Sequence, residues 1–173
     1  SKNYEKIIVN GNERISNETI LVFSEIQDNK VLDENSINEI LKKLYKSGFF
    51  KDVTVKIENN NLTIEVLENP IIQTVFIEGI KRKKTEESLY EILSLKNRSS
   101  YNSTLIKKDE TAILNFLKDD GYYFSKVTSS YQDLEGNKID LLYQIELGEK
   151  SKISKISFIG SKKFKDSTLK SII

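Results

Sequence analysis

The ten residues LYKSGFFKDV (Leu44–Val53) join a run spaced like a helix to a run spaced like a strand, with Gly48 at the junction and Phe49-Phe50 directly after it. Upstream, Ile37, Ile40, Leu41, Leu44 and Tyr45 recur at i, i+3, i+4, i+7 and i+8, one face of a helix. Ser36 and Glu39 supply an S-x-x-E capping box for its start. Gly48 stands where a C′ glycine ends such a helix. Downstream, DVTVKIE and LTIEVLE alternate apolar and polar residues on either side of an asparagine triplet, which predicts two strands and a tight turn. Strict alternation puts Phe49 on the core face with Val53, Val55 and Ile57. It leaves Phe50 on the opposite face as an exposed aromatic.

Whether that pair is a special site depends on whether the unit recurs, and it does. IIVNGNERIS (Ile7–Ser16), VFIEGIKRKK (Val75–Lys84) and ISFIGSKKFK (Ile156–Lys165) share an alternating apolar pattern closed by Gly11, Gly79 and Gly160. A second landmark recurs in the same order: ILNFLKDDGYYFSKV (Ile113–Val127) repeats the helix–glycine–aromatic pair, with Gly121 for Gly48 and Tyr122-Tyr123 for the two phenylalanines. Gly11 to Gly79 is 68 residues and Gly48 to Gly121 is 73. The second copy therefore carries about five extra residues between its first strand and its second helix. Its helices are expected near Glu86–Leu95 and Ser103–Asp120, and its strands near Tyr122–Tyr131 and Lys138–Leu147, turning at DLEGNK.

Each copy reads as β-α-α-β-β. If two antiparallel helices return the chain, strands one and three run parallel and strands two and three form a hairpin. A right-handed crossover then gives an α+β unit with a three-stranded mixed sheet in the order first–third–second, covered on one face by both helices. The second strand is left at an edge. Three units follow: residues 1–69, residues 70–149, and the start of a truncated third at 150–173. Pro70, which fixes its own φ and biases Asn69 to extended geometry, makes a short, stiff junction between the first two.

Composition excludes more than it proposes. Twenty-seven basic and 26 acidic side chains leave a net charge of +1, so no broad field draws the chain to nucleic acid or anionic lipid. The basic run KRKK (Lys81–Lys84) is followed at once by Glu86-Glu87. With no Cys and no His, disulfides, the usual zinc sites, thiol nucleophiles and imidazole bases are all absent. The acidic pairs Glu86-Glu87 and Asp119-Asp120 are sequence neighbours, which point in different directions on a helix. No enzyme, cofactor or metal site is expected. The lack of any Met fits an expected piece of a longer protein, and no stretch reaches the ~20 apolar residues of a membrane helix.

Taken together, Gly11, Asn12, Arg14, Ile15, Ser16, Thr19 and Ile20, then Leu44, Tyr45, Gly48, Phe49, Phe50, Asp52 and Val53, then Glu68-Asn69-Pro70, resemble the signature of POTRA domains, in particular those that precede an outer-membrane β-barrel assembly factor. The second unit keeps the glycines and aromatics but replaces the Arg-Ile-Ser core with GIKRKKTEESL. The resemblance implies a periplasmic scaffold that receives unfolded outer-membrane protein segments and docks accessory lipoproteins. It would meet the membrane only through a C-terminal barrel that this sequence does not include. Relatives of the same kind in two-partner secretion, translocation assembly or cell division are the alternative. The expected mechanism is strand addition, at Val53, Thr54, Val55, Lys56 and Ile57 in the first unit and at Lys126, Val127, Thr128, Ser129 and Ser130 in the second. Phe50 and Tyr123 are candidate exposed aromatics beside these edges. Gly11, Gly48, Phe49, Pro70, Gly79, Gly121 and Gly160 are expected to be structural.

Overall fold

The structure, a computed structural model, describes residues 3–26 and 31–151. Gly160 and the expected third unit beyond Ser151 lie outside the described residues. The first repeat runs β1 (Lys6–Asn10), α1 (Asn17–Ser24), α2 (Glu34–Lys46), β2 (Phe50–Glu58) and β3 (Asn61–Glu68). The second runs β4 (Ile71–Glu78), α3 (Lys83–Ile92), α4 (Ser103–Asp119), β5 (Lys126–Leu134) and β6 (Lys138–Glu146). The two sheets have the orders β1-β3-β2 and β4-β6-β5, as the count of chain directions requires. By packing, one compact unit takes in the residues up to Gln73 with Arg98–Asn102 and Asp133–Ile139. The other takes in Thr74–Asn97, Ser103–Gln132 and the described residues from Asp140 onward.

In the first sheet β1 runs parallel to β3, with Ile7 opposite Leu62 and Val9 opposite Ile64. β2 runs antiparallel to β3, with Val55 opposite Ile64. The hairpin loop is Asn59-Asn60, with φ of 50° and 63°. Two consecutive left-handed residues match the right-handed twist of the strands they join, which is why asparagines serve here. Ile20, Leu32, Ile40, Leu44, Phe50, Val53, Val55, Leu62, Ile64 and Val66 form the core of this repeat.

The structure overturns the placement of Phe50, which is only 3% exposed. A register shift in β2 sets Phe50 opposite Glu68 and Asp52 opposite Leu67, so Lys51 is an extra residue in the strand. Such a bulge inverts the alternation on its N-terminal side. Phe50 and Val53 therefore share the inward face, although they are three residues apart. Phe49 also packs on the core, half-buried, its ring stacked on Phe23 at 5.5 Å. Phe50→Ala is expected to lower stability by about 3 kcal/mol in urea titrations, as for a large core truncation. A surface aromatic would lose almost nothing.

The start of α2 also differs from expectation. Asp33, not Ser36, is the N-cap: its carboxylate accepts from the Ser36 N–H at 2.8 Å and the Ser36 hydroxyl at 2.7 Å. Those two donors hold the Asp33 carboxyl below its ordinary range. Both helix-ending glycines stand as expected, with Gly48 and Gly121 at positive φ. In the second repeat the Gly121 N–H bonds Lys118 O at 2.9 Å and the Tyr122 N–H bonds Leu117 O at 2.8 Å, the paired bonds of a Schellman end. This turn occupies Tyr122, so β5 begins at Lys126 and not at Tyr122.

Gly11 and Gly79 close their first strands for a reason beyond conformation. A Cβ on Gly11 would lie 2.1 Å from the carbonyl oxygen of Val66 on β3, and one on Gly79 1.8 Å from that of Ile145 on β6. Each glycine lets its strand end against the backbone of the central strand. Only a residue with no side chain allows that approach.

Candidate functional site

In each sheet the middle strand of the hairpin partner, β3 or β6, is central, and β2 or β5 is terminal. Val53–Ile57 lie on β2 and Lys126–Ser130 on β5, so both expected edge segments fall on terminal strands. The two edges differ in what they offer.

On β2 the two-residue loop makes Glu58 and Asn61 a hydrogen-bonded pair. Alternation then directs the main-chain groups of Thr54 and Lys56 to β3 and those of Val53, Val55 and Ile57 outward. The first outward donor is already engaged. The Val53 N–H bonds the Tyr45 hydroxyl at 3.0 Å, and that hydroxyl donates to the Asp52 carboxylate at 3.0 Å. Tyr45, expected on the apolar stripe of α2, instead reaches past the helix to the strand edge. The side chains of Val53 and Val55 are buried, and Lys56 lies 3.4 Å from Glu58 and 4.0 Å from Glu65. What remains open on β2 is short, from Val55 to Ile57.

On β5 no residue is buried. Val127–Tyr131 reads VTSSY, five consecutive uncharged residues with strand-favouring types. At its entrance stand Tyr123, 45% exposed as expected, and Phe124, 79% exposed. Phe124 is the most exposed of the large apolar side chains described, and Tyr131 is exposed further along. Sequence reading placed Phe124 inside a strand and did not single it out. The extra aromatic in GYYF, absent from GFFK, is the signal that marks it.

The signature around Gly11 proves to be architectural. The Glu68 carboxylate, 6% exposed at the end of β3, accepts from three successive backbone N–H groups: Glu13, Arg14 at 2.9 Å and Ile15 at 3.3 Å. The Asn12 carboxamide donates to Ile15 O and Asn17 Oδ1, both at 2.7 Å. Ser16 then caps α1 through Thr19 N–H at 3.1 Å. Asn69 closes the far side, its N–H on Phe49 O at 2.8 Å and its carboxamide on Gly48 O at 3.0 Å. In the second repeat a fully buried carboxylate, Asp109 of α4, accepts from the Ser94 and Leu95 N–H groups at 2.7 and 3.0 Å and from the Tyr143 hydroxyl at 3.0 Å. Neither acid is free for chemistry. Among the described residues no three potential metal ligands cluster, and no helix is long and apolar enough to cross a membrane.

Two tandem β-α-α-β-β units with terminal hairpin strands define a class of modular, edge-bearing repeat domains. Residues 3–69 and 70–148 each match the POTRA family model, described as surface antigen variable number repeat, and the chain belongs to that family. It is similar to the outer membrane protein assembly factor BamA of Nitratidesulfovibrio vulgaris, 25% identical over 170 residues that cover 95% of this chain and 21% of that protein. BamA of Neisseria meningitidis serogroup B is 24% identical over 167 residues, with the same coverage of 95% and 21%. This chain thus spans about a fifth of the length of those relatives. In fold it resembles the N-terminal domain of Omp85 from Thermosynechococcus elongatus (TM-score 0.60, 17% identity, 83% of this chain and 61% of that one). It also resembles POTRA1-2 of the periplasmic domain of Omp85 from Anabaena (TM-score 0.55, 14% identity, 86% and 97%).

Proposed function

We propose that this chain is part of the periplasmic arm of an outer-membrane β-barrel assembly factor, built of units at 1–69 and 70–149 and the start of a third from residue 150. The arm receives extended segments of unfolded outer-membrane proteins, docks accessory lipoproteins and meets the membrane through a barrel that follows it. It acts as a scaffold and not as an enzyme. The observation that carries this reading is β5: a terminal strand with no buried residue, an uncharged centre and aromatics at its entrance. A guest strand laid along it gains main-chain hydrogen bonds without demanding particular side chains, which suits a receiver of many sequences.

The test is an NMR titration of the labelled chain with a synthetic peptide copying one strand of a membrane β-barrel. Amide shifts are expected along Lys126–Ser130, with weaker ones at Val55 and Ile57. Ser129→Pro and Ser130→Pro are compared in parallel, because neighbours on a strand alternate between ladder and open edge. The one whose N–H faces outward should keep the native spectrum and abolish the β5 shifts. Peptide shifts on β5 that survive both substitutions would rule out strand addition there.

A further inference from the structure

β5 is one terminal strand of the second sheet and β4 is the other. On β4 two outward N–H donors are already bonded. The Val75 N–H bonds Asn97 Oδ1 at 2.9 Å, and the Ile77 N–H bonds the Tyr90 hydroxyl at 2.9 Å. Nearer its start, the Ile72 N–H bonds Ser99 O at 2.8 Å and Ile72 O accepts from the Arg98 N–H at 2.7 Å. Space does not close the edge at Val75: a cleft of about 530 Å³ opens there, lined by Val75, Tyr90, Glu91, Leu95, Lys96 and Asn97. Two side-chain oxygens satisfy donors that a passing strand could otherwise take.

Those oxygens are held in place. The Lys96 ammonium donates to the Tyr90 and Glu91 carbonyls at 2.5 and 3.2 Å, a cation on the last turn of α3 where the helix dipole favours one. Asp109 grips the Ser94 and Leu95 N–H groups just before it. The segment that delivers Asn97 lies in the stretch between first strand and second helix where this repeat is about five residues longer than the first.

We propose that the Tyr90 hydroxyl and the Asn97 carboxamide are plugs that close the outer edge of β4 to incoming strands and so direct an extended client to β5. This deepens the reading of β5 as the receiving edge and rests on it. An edge left with free N–H groups invites indiscriminate pairing, and a sheet with two receptive edges would bind clients in two opposed geometries. Plugging one edge gives the unit a single receiving side.

The test uses the whole 173-residue chain and a short synthetic peptide of alternating Thr and Val with a nitroxide at one end. In the unsubstituted chain, paramagnetic broadening is expected along β5 and not at the Val75 and Ile77 amides. In the Tyr90→Phe/Asn97→Ala double variant a second set of broadened amides should appear at Val75 and Ile77, with affinity at that edge raised roughly tenfold or more, since the peptide no longer displaces two existing hydrogen bonds. Broadening at Val75 and Ile77 in the unsubstituted chain, or none there in the double variant while β5 still binds, overturns the plugs and leaves the β5 reading standing. Loss of binding at β5 in both proteins overturns that reading instead. Tyr90→Phe alone, which removes one oxygen and keeps the ring, guards against misfolding. It should speed hydrogen exchange of the Ile77 amide about tenfold and leave Val75 unchanged. An unchanged Ile77 rate counts against the proposal whatever the double variant does.

Discussion

Asp109→Ala is expected to destabilise the second repeat by about 4 kcal/mol, read as the urea midpoint of the amide signals of β4 and β6. The carboxylate is fully buried and holds the Ser94 N–H, the Leu95 N–H and the Tyr143 hydroxyl. Its removal takes the acceptor from the buried Leu95 N–H and Tyr143 hydroxyl and from the part-buried Ser94 N–H, and each such loss costs about 1–3 kcal/mol before partial relaxation, least where water can step in. Tyr143→Phe removes one of those bonds together with the group that made it and should cost only about 1 kcal/mol. A loss from Asp109→Ala no larger than that of Tyr143→Phe would mean that the inter-helix segment stands without its buried anchor.

Gly79→Ala is expected to be of the same order, about 4 kcal/mol or more, and to dismantle the pairing of β4 with β6. The new methyl would lie 1.8 Å from the Ile145 carbonyl oxygen and 2.8 Å from its carbon, on a residue at φ +96°. Gly136→Ala separates the two contributions, since Gly136 has φ +77° with nothing within 4 Å of its Cβ position. That substitution carries only the left-handed backbone cost, about 1–2 kcal/mol. If the two variants proved equally stable, the close approach to Ile145 would carry no energetic weight.

The repeat, its element order and both sheet orders were legible because they rest on local signals: period-2 and period-3.6 patterns punctuated by Gly11, Gly48, Gly79 and Gly121. The bulge at Lys51 was not, because a single extra residue leaves the alternation looking intact while it turns Phe50 to the inward face. The S-x-x-E spacing at Ser36 matches a capping box, and spacing alone does not show that the Asp33 carboxylate, three residues earlier, caps α2 instead. Both expected edge segments fall on terminal strands, yet the Tyr45 hydroxyl that occupies the Val53 N–H on β2 comes from α2, an element that only folding brings to that edge. Two signals were present and passed over. Glu68 continues the inward series Leu62, Ile64, Val66 two residues on, and Asp109 lies three residues after Ile106 on the buried stripe with Ile113 and Leu117. A carboxylate at an apolar position of a regular pattern marks a buried acceptor whose donors lie elsewhere in the chain.

The grip of Glu68 on residues 13–15 also sets an order of events. The acceptor for the turn that follows β1 stands on the last strand of the same repeat, 53 to 55 residues away. A turn with such an acceptor cannot lock while the chain is still short, because its closing bonds wait on a long-range contact whose loop entropy must first be overcome. The Glu68 bonds that complete the passage from Gly11 to Ser16 are therefore expected to form late in folding, once β3 has taken its place between β1 and β2.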